Sequence, residues 1–142
     1  MKNFNKKDYK ICIVGLGYVG LPLAARFALK GFNVTGFDTK EERVNQLINK
    51  IDINDDISYE NLEILSKNAK LTTHVNDIKE SNIFIVTVPT PINEDKTPNL
   101  APLISASELV GSVVKKNSIV IYESTVYPGV TDDICTPILE EK

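Results

Sequence analysis

The sequence has 142 residues, of which 42% are hydrophobic and 25% are charged, and its formal net charge is -3. These values are typical of one soluble globular domain, and the mild acidic balance disfavours a nucleic-acid partner, which needs clustered positive charge. No apolar run reaches the length of a signal-peptide core or a membrane span, so we expect a cytoplasmic protein without a membrane partner.

A polar lead at residues 1–9 precedes the first apolar run, and residues 10–142 are treated as one domain. Short apolar runs alternate with helical patterns, without an internal repeat or a linker. This alternation predicts an α/β fold, a Rossmann-like doubly wound parallel sheet in a single domain. In chain order the predicted strands are 10–14, 33–37, 70–73, 83–88 and 118–122, and the predicted helices are 21–30, 41–49, 61–67, 103–114 and 130–141.

Residues with known capping preferences lie at two of these helix boundaries. Gly31 follows the first helix, where a residue without a side chain readily adopts the left-handed conformation that ends a helix. Asp38 or Thr39 is expected to cap the second helix, which begins near Glu41. The local signals therefore agree with the predicted order of elements.

The first predicted strand runs directly into the motif G-L-G-Y-V-G, which contains Gly15, Gly17 and Gly20. The pattern alone also occurs in ordinary turns. Between a strand and a helix, the first glycine permits a tight turn, the second lets a pyrophosphate approach the backbone, and the third lets helix and strand pack closely. The helix that begins near Val19 would present free N–H groups to that diphosphate. The motif therefore predicts a dinucleotide site held largely by the main chain.

Asp38 follows the second predicted strand, near the spacing at which an acidic residue binds the adenosine ribose of a dinucleotide. A carboxylate there repels a 2′-phosphate, by about 4 kcal/mol at about 4 Å before screening. We therefore predict NAD rather than NADP as the cofactor, with a simple helix N-cap as the alternative role of Asp38. Arg43, on the second helix, is either a solvated residue or another cofactor contact.

Hydroxyl side chains follow two later strands. Thr90 lies between two prolines after the fourth strand, and Ser124 and Thr125 follow the fifth. Because ligands of open α/β sheets bind beyond the carboxyl ends of the strands, these hydroxyls are candidates to meet the cofactor, the substrate or a water. The alternatives are a rigid strand exit at Thr90 and hydrogen bonds that only satisfy the backbone at Ser124 and Thr125.

Other reactive residues are given structural roles. His74, the only histidine, has no neighbour that would complete a catalytic triad and is expected at the surface. Cys12 and Cys135 lack the spacing of metal ligands and are expected to be buried thiols. No metal site is predicted, and Glu123 is expected to be paired or solvated rather than a base.

Four segments in order resemble the nucleotide-sugar 6-dehydrogenases, the UDP-glucose/GDP-mannose dehydrogenase family. They are KICIVGLGYVGLPLA, the D-x-x-x-x-R of Asp38 and Arg43, VPTP at 88–91 and ESTVYPG at 123–129. The resemblance extends from about Lys10 to the end of the chain. The segments around VPTP and YESTVYPGVT are most similar to the branch that oxidises UDP-N-acetylglucosamine or UDP-N-acetylgalactosamine to the uronic acid for bacterial surface polysaccharides.

The resemblance implies a set of NAD contacts, and it implies that Thr125 also has a catalytic role in positioning a water. The family's catalytic cysteine belongs to a G-x-C-x-P-K-D type motif, and neither Cys12 nor Cys135 has these neighbours. We therefore expect the cofactor domain of a longer enzyme, without its sugar-nucleotide domains and inactive alone; the UDP-sugar and a homo-oligomeric state belong to the full-length enzyme. The implied NAD contacts are Gly15, Gly17, Tyr18, Val19, Gly20, Asp38, Arg43, Thr90 and Thr125.

Two other kinds of protein contain similar strand, glycine turn and helix units. One is a free-standing regulatory module that senses NAD or a nucleotide. The other is the cofactor domain of a β-hydroxyacid or 6-phosphogluconate type dehydrogenase. The hydroxyl-bearing strand exits, VPTP and ESTVYPG, favour the nucleotide-sugar family over both.

Overall fold

A five-stranded sheet forms the centre of the computed structural model, which describes residues 5–141. Every pair of neighbouring strands is parallel, and the spatial order is β3, β2, β1, β4, β5. The chain therefore builds outward from β1 in one direction and then, from β4, in the other, which confirms the predicted doubly wound, Rossmann-like fold. The strands are β1 (Lys10–Val14), β2 (Asn33–Phe37), β3 (Ala69–Thr72), β4 (Ile83–Val86) and β5 (Ile119–Tyr122).

Helices connect three of the four pairs of consecutive strands, β1 to β2, β2 to β3, and β4 to β5. Short 3₁₀ turns precede β1 and β4, at Lys6–Asp8 and Val75–Ile78, and a π-helical turn at Thr131–Cys135 leads into the last helix. The helices are α1 (Gly20–Leu29), α2 (Glu41–Ile48), α3 (Tyr59–Asn68), α4 (Ala101–Gly111) and α5 (Thr136–Glu140).

The core consists of two apolar layers, one on each face of the sheet. Because side chains alternate along a strand, Ile11 and Ile13 of β1 point to one face, and Cys12 and Val14 point to the other. The first layer includes buried residues of α1, α2 and α3, and the second includes buried residues of α4. A strand covered on both faces reads as a continuous apolar run, which is why KICIV has no polar alternation.

Several element boundaries differ from the sequence predictions for local reasons. Helix α3 begins at Tyr59 because Ser58 Oγ accepts a hydrogen bond from the N–H of Asn61, 3.3 Å away. Helix α4 begins at Ala101, whose N–H donates to Asn99 Oδ1 over 3.0 Å. The predicted final helix at 130–141 is correct in place, but its first turn is π-helical.

The predicted caps of the first two helices have different outcomes. Gly31 adopts a left-handed φ of 80° and its N–H donates to the Ala28 carbonyl, as predicted. The predicted cap of α2 by Asp38 or Thr39 is wrong, because Lys40 occupies the N-cap position and no side chain closes it. The Asp38 carboxylate instead binds backbone N–H groups of two segments, which also excludes a simple N-cap role.

The side chains that were given structural roles lie where the sequence placed them. Cys12 and Cys135 are buried, and burial raises the pKa of the Cys12 thiol to about 12. His74 is exposed. Of the predicted polar lead at 1–9, residues 1–4 lie outside the described residues, as does residue 142.

Within the described chain, no helix has both the length and the apolar character that crossing a membrane requires.

Replacing Ile13 with alanine should reduce the free energy of unfolding by about 2–5 kcal/mol, because its side chain is fully buried in the central strand. The matched variant Ile119→Ala lies on edge strand β5, where the side chain is 54% exposed, and should lose less than about 1 kcal/mol. Urea unfolding measures both values. Equal losses would contradict the described burial.

Candidate functional site

A cavity of about 850 Å³ opens at the carboxyl edge of the sheet. Its walls come from the ends of β1, β2 and β4, from α2 and α4, and from the segment between α2 and α3. A second cavity of about 120 Å³ adjoins it and is bordered by the exits of β4 and β5. The two cavities share Gly17, Thr87, Val88 and Pro89. This edge is where open α/β sheets bind their ligands.

The glycine turn between β1 and α1 forms the floor of the larger cavity. Gly15 has a φ of 101°, a conformation that favours glycine, and its N–H donates to the Phe37 carbonyl at 2.8 Å. A Cβ at Gly20 would overlap both the carbonyl oxygen of Gly15 and Thr87 Oγ1. These two observations agree with the predicted tight turn at Gly15 and close packing at Gly20.

Gly17 differs from the other two glycines of the motif. A Cβ placed there would have no described protein atom within 4 Å, so the local packing does not require a glycine at this position. Within residues 5–141, no acceptor binds the backbone N–H of Gly17, Tyr18 or Val19. Unpaired N–H groups at the start of a helix, beside open space, form a site for an anionic group. The turn therefore fits a diphosphate.

Asp38 lies at the end of β2, on the wall of the same cavity. Its Oδ2 accepts a hydrogen bond from the N–H of Leu16 at 2.8 Å, and its Oδ1 accepts one from the N–H of Lys40 at 2.9 Å. These bonds fix the orientation of the carboxylate. Since each carboxylate oxygen has two lone pairs, each can still accept a hydrogen bond from a ribose hydroxyl.

Arg43 projects from α2 toward the glycine turn and is only 9% exposed. The predicted alternative of a solvated helix residue is therefore wrong. Its Nε donates to the Leu16 carbonyl at 3.0 Å, and its terminal nitrogens pair with Asp52 at 2.8 Å and with Asp56 at 3.1 Å. No sequence pattern indicated these partners, because they lie in a loop without a recognisable motif.

The surroundings of Asp52 have opposing effects on the pKa of its carboxyl group. Burial alone raises the pKa of Asp52, but the hydrogen bond from Arg43, the backbone hydrogen bonds from Ile57 and Asn54, and the Arg43 charge together lower it below its ordinary value. The folded structure thus favours the ionised form of this carboxyl.

Thr87, which the sequence analysis left inside a predicted strand, occupies the centre of the site. Strand β4 ends at Val86, and the Thr87 N–H donates to the Val14 carbonyl at 2.9 Å. The buried Thr87 hydroxyl lies 2.8 Å from the Gly15 carbonyl oxygen, to which it donates. The signal for this residue was a hydroxyl at the end of a buried apolar run, the same signal that pointed to Thr90.

The hydroxyl residues after β4 and β5 join the two strand exits. Thr90 Oγ1 donates to the Thr125 carbonyl at 2.7 Å, and Ser124 Oγ donates to the Val88 carbonyl at 2.6 Å. The structure thus brings Thr90 and Thr125 together on the wall of the smaller cavity. Ser124 satisfies a backbone carbonyl, as its alternative interpretation predicted, while Thr125 itself is exposed.

Comparison with known proteins identifies the family of this chain. The model of the UDP-glucose/GDP-mannose dehydrogenase family, NAD binding domain, matches residues 9–142. The chain therefore belongs to this family, and the segment that matches is the NAD-binding domain. Family membership decides against the β-hydroxyacid or 6-phosphogluconate type alternative.

Individual relatives support the same assignment. The chain is 50% identical over 136 residues to UDP-N-acetyl-D-glucosamine 6-dehydrogenase of Salmonella typhi, covering 96% of this chain and 32% of that protein. It is 44% identical to Protein CapL of Staphylococcus aureus, covering 92% and 30% respectively. A solved structure of a UDP-D-ManNAc dehydrogenase from Pyrococcus horikoshii matches with a TM-score of 0.84 and 36% identity, covering 93% of this chain and 32% of that one. The chain thus spans about a third of the length of the relatives it matches.

The Asp52→Asn variant should lose stability at neutral pH and show a weaker dependence of stability on pH in the acid range. Because the folded-state pKa of Asp52 is lowered, its contribution is complete above the ordinary aspartate pKa and is lost as the pH falls through the folded value. Breaking a buried ion pair typically costs about 3–5 kcal/mol of the free energy of unfolding. The loss in Asp52→Asn at neutral pH should be smaller, because Asp56 still pairs with Arg43.

Urea unfolding between neutral pH and about pH 3 measures this effect. The matched control is Asp55→Asn, which changes an exposed carboxylate in the same loop and should leave the acid dependence close to that of the unmodified chain. An identical acid dependence in Asp52→Asn and the unmodified chain would contradict the described pairing.

Proposed function

We propose that this NAD-binding domain holds its cofactor in the larger cavity, with the diphosphate at the glycine turn and the adenosine ribose at Asp38. The nicotinamide would then extend toward the smaller cavity at Thr90 and Thr125. The observation that carries this proposal is the open space at Gly17 beside N–H groups that have no acceptor among residues 5–141. The proposed contacts are Gly15, Gly17, Tyr18, Val19, Gly20, Asp38, Arg43, Thr90 and Thr125.

Each part of the proposed site has a separate task. The main chain of the turn binds the diphosphate, which all dinucleotides share. The fixed carboxylate of Asp38 accepts hydrogen bonds from the ribose hydroxyls and disfavours a 2′-phosphate. The bond between Thr90 and the Thr125 carbonyl holds the two strand exits at a set distance, so that Thr125 can orient a water. When bound, NAD supplies the hydride acceptor.

We propose that the chain serves a longer enzyme that oxidises a UDP-N-acetylhexosamine to its uronic acid for surface polysaccharide biosynthesis. Support comes from the UDP-N-acetyl-D-glucosamine 6-dehydrogenase relatives, which are more similar to this chain than the UDP-N-acetyl-D-mannosamine dehydrogenases. The domain limits at residues 10 and 142, the cytoplasmic location and the homo-oligomeric state of the full-length enzyme stay predictions.

The chain alone is expected to bind NAD without turnover of a sugar nucleotide. Sugar oxidation through a covalent intermediate needs a thiolate that the substrate can reach. Cys12 and Cys135 are both fully buried, and the raised pKa of Cys12 keeps that thiol protonated. Neither residue therefore meets this requirement.

The Gly17→Val variant should weaken NADH binding by at least about tenfold, which corresponds to about 1.4 kcal/mol, while the melting temperature without cofactor changes little. The reason is that the added side chain enters open space rather than a packed region. Titration by NADH fluorescence and thermal unfolding measure the two quantities.

The contrasting control for this prediction is Gly20→Ala. Its Cβ would overlap Gly15 and Thr87, so it should lose about 1–3 kcal/mol of stability even without cofactor. A folded Gly17→Val variant with unchanged NADH affinity would refute the proposed position of the diphosphate.

The full-length enzyme should reduce two NAD molecules for each UDP-N-acetylhexosamine that it converts, because oxidising a primary alcohol to a carboxylate removes two hydrides. Absorbance of NADH, measured with UDP-N-acetylglucosamine, UDP-N-acetylgalactosamine and UDP-N-acetylmannosamine, tests this. UDP-glucose is the control substrate and should react more slowly. An enzyme inactive with all three N-acetylated sugars would contradict the proposed substrate class.

A further inference from the structure

Asp52 and Asp56 compensate the charge of a buried arginine at the edge of the cofactor cavity. The Arg43 side chain is 10% exposed, and those of its two partners are 3% and 11% exposed. Each terminal nitrogen of the guanidinium pairs with one of the two carboxylates, and Nε binds the Leu16 carbonyl. All three nitrogens of the guanidinium therefore have a protein partner.

This arginine lies beside the proposed position of the adenosine ribose. Asp38 binds the N–H of Leu16 and Arg43 binds the carbonyl of the same residue, so the two side chains approach one turn from neighbouring positions. Both also line the larger cavity. In dinucleotide-binding folds, an arginine near this point is the group that accommodates a 2′-phosphate.

The segment at 50–57 is shaped to present the two carboxylates. Lys50 and Asp55 adopt left-handed φ values of 59° and 53°, which turn the chain sharply on either side of Asp52 and Ile53. Asp52 Oδ2 accepts the Ile57 N–H at 3.1 Å, which closes this loop on itself. The loop holds its acidic side chains toward Arg43 and places Ile53 on the cavity wall.

We propose that Asp52 and Asp56 determine coenzyme selectivity: they compensate the charge of Arg43 and hold its guanidinium against the Leu16 turn, so that it does not receive a 2′-phosphate. This inference rests on the proposed placement of the adenosine ribose at Asp38. The chain thus disfavours NADP in two ways. Asp38 repels the phosphate directly. Asp52 and Asp56 pair with the Arg43 guanidinium, which would otherwise bind the phosphate.

The test compares the affinities of the chain for NADH and NADPH at one fixed salt concentration, by titration of their fluorescence. The unmodified chain should bind NADH more tightly. In Asp52→Asn/Asp56→Ala, the ratio of the NADPH to the NADH dissociation constant should fall at least about tenfold, the effect of one hydrogen bond to a charged group. Adding Arg43→Gln to this double variant should remove the gain.

The matched control neutralises two carboxylates of α2 that line the larger cavity, in Glu41→Gln/Glu42→Gln. This pair changes the net charge as much as the double variant does but does not pair with Arg43, so its selectivity should change by less than about threefold. A similar fall of the ratio in both variants would show a general field effect and overturn the inference.

Two further measurements keep the test decisive. Asp56→Ala alone keeps the loop closure by Asp52, and it should lower the ratio in the same direction if the double variant does not fold. An unchanged ratio in folded Asp56→Ala, with NADH still bound, overturns the inference while the proposed NAD site stands. Unmodified chain that fails to bind NADH, or Asp38→Asn that leaves the ratio unchanged, instead overturns the proposed site.

Discussion

The peptide groups of Leu16 are held from two sides, and the shape of the proposed cofactor site depends on this arrangement. The N–H donates to Asp38 at the end of β2, and the carbonyl accepts from Arg43 on α2. The Leu16 side chain is fully buried, which adds a third constraint. The turn after β1 is therefore connected to the neighbouring strand, to the next helix and to the core. These contacts hold the turn in place, so that its N–H groups can face the cavity.

On its opposite side, the turn packs closely against the end of β4. The Thr87 hydroxyl binds the Gly15 carbonyl, and Gly20 leaves no room for a side chain between them. Strand β4 lies next to β1 in the sheet. The contact therefore forms at the point where the order of the strands reverses. The same packing that buries β1 thus positions the Gly15 and Thr87 atoms that line the larger cavity.

The sequence predicted the sheet, its parallel connections and the glycine turn because each depends on residues close together in the chain. The run KICIV, the three glycines and Asp38 carry these signals locally. Interactions across loops could not be predicted. The burial of Arg43 depends on Asp52 and Asp56, and a pattern for a helix surface does not reveal partners in a loop. The start of α3 depends on the capping side chain of Ser58, and the first residue of α4 donates to Asn99; apolar periodicity detects neither hydrogen bond.

Recognition of the cofactor by main chain and by charged side chains has different consequences for selectivity. Main-chain N–H groups at the turn, in the proposed site, would bind a diphosphate whatever nucleoside carries it, so changes there should affect all dinucleotides alike. The carboxylates around Arg43 are proposed to act only on the group attached to the ribose, and they lie in the loop after α2 rather than in the sheet. Because these carboxylates are buried partners of Arg43, a change of their charge costs stability, but it leaves the strands and the glycine turn in place. Under these proposals, coenzyme selectivity is therefore separable from the affinity of the domain for the diphosphate.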